Sequence, residues 1–362
     1  MRILITGADG YIGWPLFLKF IYQNPKIKII GIDNFLRRKL VKRYSENNYK
    51  KVYSMKERIK ELKLKGKKNF EFINLDLLDK KKTYNLLKKF KPDIIFHLAC
   101  QPSAPFANKN LNNSVFTSKN NNLSTLNLLW SLKELNLLKT LFVETTTTGT
   151  YGAPNLKIPE GRIKFRKDNL LFPGMGQSWY HITKSNDINY LWLANRLWDL
   201  PIIDFRTAVT LGSSTKYTRL NKKFTTRFDY DFFFGVVVNR FIMKAIKEDF
   251  LPIYGKGKQK KPFIHLEDVV DSLYNVYKKN NSKKFEIYNQ FSQTLSIIDI
   301  SNIIKKVSKN YGFKTVIKNI QNPRKENEEH NMKMENAKFL KILGRKPKSI
   351  LQSIKESFED LV

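Results

Sequence analysis

Short apolar runs rich in β-branched residues alternate with longer amphipathic stretches along the first half of the chain. The apolar runs predict buried strands at 2–6, 28–33, 70–74, 93–99, 140–146 and 201–207. The amphipathic stretches predict helices at 11–22, 79–89, 124–135 and 178–197. Alternating strands and helices favour right-handed crossovers, so we expect an α/β fold with a doubly wound, parallel Rossmann sheet.

The remainder of the chain has a mixed pattern that predicts a smaller α+β lobe interleaved with the first. A polar stretch at 213–226 precedes a helix predicted at 235–247, and an α+β region begins near residue 284. We therefore predict a Rossmann domain over residues 1–212 and about 236–283. The smaller C-terminal lobe is predicted over about 213–235 and 284–362.

Composition narrows the class of protein. The chain has 362 residues, which is enough to bury a full core, and its apolar runs are far too short to cross a bilayer. The first strand begins at Arg2, so we expect no secretory signal. A single cysteine, Cys100, excludes an intramolecular disulfide, and we expect a reducing, cytoplasmic location. No metal site and no membrane association are predicted.

The chain is strongly basic, with 66 Lys and Arg against 32 Asp and Glu, a formal net charge of +34. Nucleic-acid binding is one interpretation, because cations neutralise phosphates. The basic residues are instead spread at helical spacing among apolar ones, as in KKVYSMKERIKELKLKGKKN. That pattern is typical of solvated helix faces, which would steer small anionic substrates. We predict no specific nucleic-acid partner.

A glycine-rich turn follows the first predicted strand in MRILITGADGYIGWPLF. Such glycines let the backbone turn tightly and approach a pyrophosphate at the N-terminus of the next helix. Asp33 closes the second strand, where a carboxylate would bind the adenosine ribose hydroxyls and repel a 2′-phosphate. We therefore expect NAD in preference to NADP, although Arg37 and Arg38 follow closely. The motif glycines are Gly7, Gly10 and Gly13.

A second group of residues with catalytic potential lies in SWYHITKSND. Tyr180 and Lys184 stand four residues apart, so they share one face of the predicted helix. We expect the lysine to lower the pKa of the phenol, which makes Tyr180 a candidate base for oxidising an alcohol. The hydroxyl run 145–148 ends the preceding strand and offers a third polar group.

These motifs together resemble the extended short-chain dehydrogenase/reductase family, which modifies nucleotide sugars with bound NAD. The resemblance covers nearly the whole chain, through TGADGYIG, LDLLD, HLA, NNLSTLNLL, YHITK and QKKPFIHLEDVVDSL. It implies that the first domain binds NAD and the smaller lobe binds the nucleotide sugar. It also implies a homodimer formed through the helices near 124–135 and 178–197.

The resemblance assigns a role to each matching residue. The catalytic set is Thr147, Tyr180 and Lys184, with Tyr180 taking the proton of the sugar O4 and Lys184 bonding the nicotinamide ribose. The implied NAD-binding residues are Gly7, Gly10, Tyr11, Ile12, Gly13, Asp33, Asn34, Arg37, Asp76, Leu77, Leu98, Ala99, Tyr180 and Lys184. The implied substrate-binding residues are Gln101, Thr147, Arg227, Asn239, Gln259, Lys261 and Arg324, the last as a phosphate clamp.

Within the family, several long motifs are similar to a sulfonating branch that converts UDP-glucose and sulfite into UDP-sulfoquinovose. They are GADGYIGWP, DNFLRRK, QPSAPF, GTYGAPN, RFDYDFFFGVVVNRF, YGKGKQKKPFIHLEDV, YNQFSQ and NPRKENEEH. The resemblance implies transient oxidation at the sugar C4, loss of water from C6 and addition of sulfite.

The chain departs from this branch at four positions expected near the reacting carbons. Cys100 and Pro102 replace an acidic residue and an arginine, while Thr148 and Thr150 replace a methionine and a glutamate. The alternative within the family is a UDP-hexose 4-epimerase or a related sugar-nucleotide epimerase/dehydratase, and an epimerase needs neither an acidic residue at Cys100 nor an arginine at Pro102. A Rossmann protein without catalysis is the alternative outside it, and the Tyr180/Lys184 pair argues against that.

Overall fold

The structure is a computed structural model that describes residues 1–44, 50–152, 154, 156–172, 174–248, 250–279, 284–321 and 331–362. Its strands are β1 Arg2–Thr6, β2 Lys28–Asp33, β3 Phe70–Asn74, β4 Ile94–His97, β5 Leu141–Thr147, β6 Arg162–Phe165, β7 Asp168–Leu171, β8 Ile202–Thr207, β9 Val209–Leu211, β10 Phe250–Tyr254, β11 Lys260–His265, β12 Phe285–Gln290, β13 Gln293–Ser296 and β14 Val316–Ile320.

Helices connect these strands. They are α1 Gly13–Gln23, α2 Leu36–Tyr44, α3 Met55–Leu64, α4 Lys80–Phe90, α5 Ala104–Ala107, α6 Leu111–Glu134, α7 Trp179–Trp198, α8 Val237–Lys247, α9 Leu266–Val276, α10 Ile297–Lys309, α11 Ala337–Leu343 and α12 Ile350–Leu361.

A seven-stranded sheet forms the centre of the molecule, in the order β12-β8-β5-β4-β1-β2-β3. Every neighbouring pair is parallel. Apolar side chains from α1, α9 and α11 pack on one face, and those of α4, α6 and α7 pack on the other. The predicted doubly wound Rossmann fold is confirmed. Because parallel strands end at one edge, β1, β2, β4 and β5 bring their carboxyl ends together there.

A second apolar cluster forms the smaller lobe around α8, α10, α12 and strands β10 and β11. Strand β10 pairs in parallel with β14, and β11 lies between β9 and β13. Several of these elements lie elsewhere than the predicted division placed them. Strand β12 joins the main sheet beside β8, and α11 packs on that sheet. Strands β10 and β11 belong to the smaller lobe, and α8 packs there because Val238 and Phe241 face its apolar cluster.

Helix α6 begins at Leu111, thirteen residues before the start predicted from the apolar pattern. Asn110 caps it, since its side chain accepts a hydrogen bond from the Asn113 amide. Polar residues in its first half are buried and hydrogen-bonded, which conceals the amphipathic pattern; they include Thr117 and Asn121. Within the described part of the chain, every helix is too short or too polar to traverse a bilayer.

Candidate active site

The glycine-rich turn connects β1 to α1 and leaves no room for side chains. Gly7 has a φ of +68°, and a Cβ there would lie 2.8 Å from the backbone of Leu98. A Cβ on Gly13 would lie 2.0 Å from the carbonyl oxygen of Gly7. The exposed backbone at a helix N-terminus is a cradle for a pyrophosphate. The turn therefore fits a dinucleotide cofactor.

Asp33 ends β2 beside this turn. Its Oδ2 accepts a hydrogen bond from the Asp9 amide at 3.0 Å, and its Oδ1 accepts one from the Phe35 amide at 2.7 Å. Burial raises the pKa of Asp33 to about 6, with a further contribution from the negative charge of Asp9. The carboxylate is ionised at neutral pH and suits an adenosine ribose.

Asp9, within the turn, is surrounded by three arginines, an arrangement that sequence reasoning missed along with Asp9 and Arg58. Arg38 binds both carboxylate oxygens at 2.7 Å, Arg58 binds Oδ1 at 3.1 Å, and Arg227 binds Oδ2 at 3.0 Å. Burial opposes ionisation of Asp9, but the arginines outweigh it and lower the pKa. Three cations around one carboxylate leave excess positive charge beside the turn, which suits an anionic cofactor.

A cavity of about 450 Å³ extends from the turn across the carboxyl edge of the sheet. Most of the residues assigned to NAD line it: Gly7, Gly10, Tyr11, Ile12, Gly13, Asp33, Asn34, Arg37, Asp76, Leu77, Leu98, Ala99 and Tyr180. Several residues assigned to the substrate also line it: Gln101, Thr147, Arg227, Asn239 and Lys261. Arg227 contacts the glycine turn through Asp9, on the cofactor side of the cavity. Arg324 lies outside the described residues.

Tyr180 lies in the first turn of α7, which follows the cap residue Ser178. Burial raises the pKa of the Tyr180 phenol, Cys100 raises it further, and Lys184 opposes the increase. The expectation that Lys184 brings this pKa below its usual value was therefore wrong for the protein alone. The tyrosine is deeply enclosed, and the charge of Lys184 is shared with two carboxylates.

Lys184 lies below the cavity and does not line it. Its Nζ is 2.8 Å from Oε1 of Glu144 and 3.2 Å from Oδ2 of Asp187, and all three side chains are buried. Glu144 is in the centre of β5, where sequence reasoning read only a buried strand. The apolar run that predicted this strand gave no sign of a buried carboxylate at this position.

Thr147 ends β5 and lines the cavity. Its Oγ1 accepts a hydrogen bond from the Gly149 amide at 3.1 Å and so begins the turn of residues 148–151. A hydroxyl oxygen held by an amide can still donate its proton to a ligand. The strand end thus presents a fixed hydroxyl in the cavity that Tyr180 also lines.

Three of the four positions that depart from the sulfonating branch line the cavity: Cys100, Pro102 and Thr148. Thr150 is buried and donates a hydrogen bond to the carbonyl of Thr147 at 2.8 Å. His181 also lines the cavity, with its ring against Gly149. Burial and the nearby Lys261 charge lower the pKa of His181 to about 4, so its ring is neutral at physiological pH.

A second cavity of about 640 Å³ adjoins the first, and Lys261 lines both. Gln259 lines the second cavity only. The other lining residues are mainly aromatic and basic, and include Tyr44, Tyr230, Phe232, Arg240, Lys244 and Lys247. Aromatic rings stack with bases and cations bind phosphates, so this lining suits a nucleotide.

Residues 227–234, which we call the bridging loop, contribute to both cavities. Asp229 lines the first cavity and binds Arg37 of α2 at 2.7 Å, with the Arg37 guanidinium over the Phe234 ring. Tyr230, Asp231 and Phe232 line the second cavity. The loop therefore connects the cofactor side of the site to the smaller lobe.

Comparison with known proteins gives a consistent result. Residues 3–289 match the NAD dependent epimerase/dehydratase family. The chain is 32% identical over 371 aligned positions to UDP-sulfoquinovose synthase of Sulfolobus acidocaldarius, covering 100% of this chain and 93% of that one. It is 30% identical over 364 positions to the chloroplastic UDP-sulfoquinovose synthase of Spinacia oleracea, covering 98% and 74%.

Solved structures share the fold. UDP-glucose 4-epimerase of Thermotoga maritima, solved with UDP-glucose, has a TM-score of 0.73 at 21% identity and covers 99% of this chain and 98% of its own. A UDP-glucuronic acid 4-epimerase mutant of Bacillus cereus, solved with NAD, has the same TM-score and identity and covers 100% and 99%. The family resemblance and the NAD cofactor predicted from the motifs are confirmed: the chain belongs to the NAD dependent epimerase/dehydratase family.

Proposed function

We propose that this enzyme modifies a UDP-hexose through transient oxidation at the sugar C4, and that it converts UDP-glucose and sulfite into UDP-sulfoquinovose. One observation carries the sulfonating part: two UDP-sulfoquinovose synthases are 30–32% identical over nearly the whole chain. The cavity supports the oxidation, because Tyr180 and Thr147 both line it at the carboxyl edge of the sheet.

The first cavity fits NAD on its glycine-turn side. The turn and its arginine cluster would hold the pyrophosphate, and the Asp33 carboxylate would bind the adenosine ribose. Bound NAD supplies the acceptor for a hydride from C4 and its later return. Residues near Asp76 would contact the adenine.

Tyr180 and Thr147 would bind the sugar O4. Tyr180 takes the O4 proton and holds it, and the Thr147 hydroxyl orients the oxygen so that the proton transfer is direct. Lys184 would favour from below the Tyr180 phenolate that accepts this proton, since its ammonium stays protonated between Glu144 and Asp187. Thr147 would therefore bind the sugar oxygen, Tyr180 would accept its proton, and Lys184 would compensate the charge of the phenolate.

The second cavity would hold the nucleotide of the substrate. Lys261 lies where the two cavities meet, so it is placed for the diphosphate between the uridine and the sugar. Asn239 and Gln259 would contact the substrate on either side of it. Arg324 stays a prediction for the same diphosphate.

A UDP-hexose 4-epimerase is the second candidate, and a specific observation favours it. Cys100 and Pro102 line the cavity at positions where the sulfonating branch has an acid and an arginine. Epimerisation needs only the C4 chemistry, in which Tyr180 takes the proton of the sugar O4 and later returns it to the same oxygen.

The deciding experiment incubates the protein with UDP-glucose and NAD, with and without sulfite, and identifies products by mass spectrometry. A product that requires sulfite and is heavier by the exchange of a hydroxyl for a sulfonate supports the proposal. An isomer such as UDP-galactose, formed without sulfite, supports the epimerase. The Tyr180→Phe variant controls for non-enzymatic addition of sulfite.

A further inference from the structure

The catalytic lysine is held by a carboxylate from the central sheet. Lys184 is 3% exposed, and the side chains of Glu144 and Asp187 are fully buried. Asp187 is one turn along α7 from Lys184, whereas Glu144 reaches it from β5 across the helix–sheet interface. Among the described residues, the second carboxylate oxygen of Glu144 has no hydrogen-bond partner.

The charges around this cluster come from every element that packs against it. Helix α7 contributes Tyr180 and Asp187, β4 contributes His97 and the segment after it contributes Cys100. Strand β8 contributes Asp204, which is paired with Arg206 at 3.2 Å. Burial and the Lys184 charge lower the pKa of His97 to about 3, so that ring is neutral. Among these groups, Lys184 and Arg206 are the two cations, and Lys184 faces two carboxylates.

We propose that Glu144 is a positioning residue, which fixes the Lys184 ammonium beneath Tyr180 and limits how strongly that ammonium favours anions in the cavity. The effect on Tyr180 as a catalytic base, which we call the catalytic role, rests on the proposed function. The effect of Glu144 on the charge in the cavity, which we call the charge placement, does not. An ion pair at 2.8 Å in a dry interior restrains both side chains and compensates most of the field of the lysine. Burial raises the pKa of Glu144, and the Lys184 ammonium at 2.8 Å opposes that increase and favours the carboxylate. Removing the negative charge of this ion pair would strengthen the field of the lysine at Tyr180 and at Cys100.

The single cysteine of the chain makes this testable without a substrate. Cys100 lines the cavity, and burial raises the pKa of its thiol; Lys184 opposes that increase, while Glu144 and Asp187 add to it. The thiolate is the reactive form, so iodoacetamide alkylation reports the local charge. We expect Glu144→Gln, freed of NAD, to be alkylated at least about threefold faster than wild type at about pH 7.5, which corresponds to half a pKa unit.

Glu160→Gln is the matched control. Glu160 is also a buried carboxylate, but it accepts hydrogen bonds from the amides of Lys338 and Phe339 and does not contact Lys184. Its alkylation rate should equal that of wild type. If Glu144→Gln does not fold, Asp187→Asn removes the second carboxylate on the same lysine and should accelerate alkylation in the same direction.

The catalytic role of Glu144 is tested by the pH dependence of kcat. Glu144→Gln should move the acidic limb of the kcat–pH profile to lower pH, and Glu144→Asp should return that limb to its wild-type position. If Glu144 had a purely structural role, its replacement would lower kcat and leave the acidic limb in place. An unchanged alkylation rate overturns the charge placement, and an unchanged limb overturns the catalytic role. Faster alkylation in a protein whose wild type converts no UDP-hexose supports the charge placement and overturns the proposed function.

Discussion

One phenolic oxygen carries the proposed proton transfer. We predict that Tyr180→Phe lowers kcat by at least about a hundredfold, because no other hydroxyl of α7 is placed to accept the O4 proton. Its melting temperature and NAD affinity should stay close to wild type, since only one oxygen is removed. Steady-state turnover, thermal unfolding and an NAD titration measure these three quantities.

Tyr22→Phe is the control for that variant. Within the described part of the chain, the Tyr22 hydroxyl is buried and has no hydrogen-bond partner. Its loss should leave turnover unchanged. Near-normal activity of Tyr180→Phe would contradict the assigned mechanism.

The Asp33 carboxyl predicts a pH dependence of cofactor binding. Because its pKa is raised to about 6, it is ionised above that pH and becomes protonated as the pH falls through it. A neutral carboxyl accepts ribose hydrogen bonds more weakly, by about 1 kcal/mol or roughly fivefold in Kd. NAD affinity, measured by calorimetry, should therefore weaken below about pH 6, and NAD should bind more tightly than NADP at neutral pH.

Asp33→Asn removes the titrating group at this position. Its NAD affinity should be weaker than that of wild type and should no longer change near pH 6. Tighter binding of NADP than of NAD by the wild type would contradict the assignment and would direct attention to Arg37 and Arg38.

At the scale of elements, the apolar pattern predicted β1, β2 and β3 with their observed bounds and placed α1 and α7 within two residues. The apolar pattern did not reveal the first half of α6 or the buried carboxylate of Glu144 in β5, and the reason is the same for both. Polar side chains there are buried and held by tertiary partners, and no local pattern reveals such partners. The ion pairs around Asp9 were missed likewise, since Arg58 and Arg227 reach it from distant segments.

The β1–α1 turn should not tolerate a side chain. We predict that Gly13→Ala abolishes NAD binding and lowers the melting temperature, because the new Cβ would lie 2.0 Å from the Gly7 carbonyl oxygen and force the turn apart. Gly66→Asn is the control: Gly66 has a φ of +71°, which asparagine accepts, and no atom lies within 4 Å of its Cβ position. Equal NAD affinity of Gly13→Ala and wild type would contradict this account of the cradle.

At the scale of the whole molecule, α6 and α7 pack side by side and leave apolar side chains on their outer surface. Trp130 is 50% exposed and Leu197 is 62% exposed. Burying such side chains contributes about 2 kcal/mol each. The homodimer through these helices stays a prediction, and this surface supports it.

We predict that the wild type is a dimer by light scattering after size-exclusion chromatography. Trp130→Glu combined with Leu197→Glu should give monomers, because the charges would be buried without partners. Leu64→Glu changes a leucine that is 70% exposed on α3 and should stay dimeric. A monomeric wild type would refute the predicted interface.

The bridging loop has a kinetic consequence. A cofactor in the first cavity would lie between α2 and the loop, which are joined by the Arg37–Asp229 ion pair, while Arg227 joins the loop to the glycine turn. Release of the cofactor would require both ion pairs to open, whereas the nucleotide sugar would enter and leave through the neighbouring cavity. In the proposed reaction the dinucleotide ends each cycle in the state in which it began. We therefore expect the protein to keep one cofactor through many successive substrates, as a resident group and not as an exchanging cosubstrate.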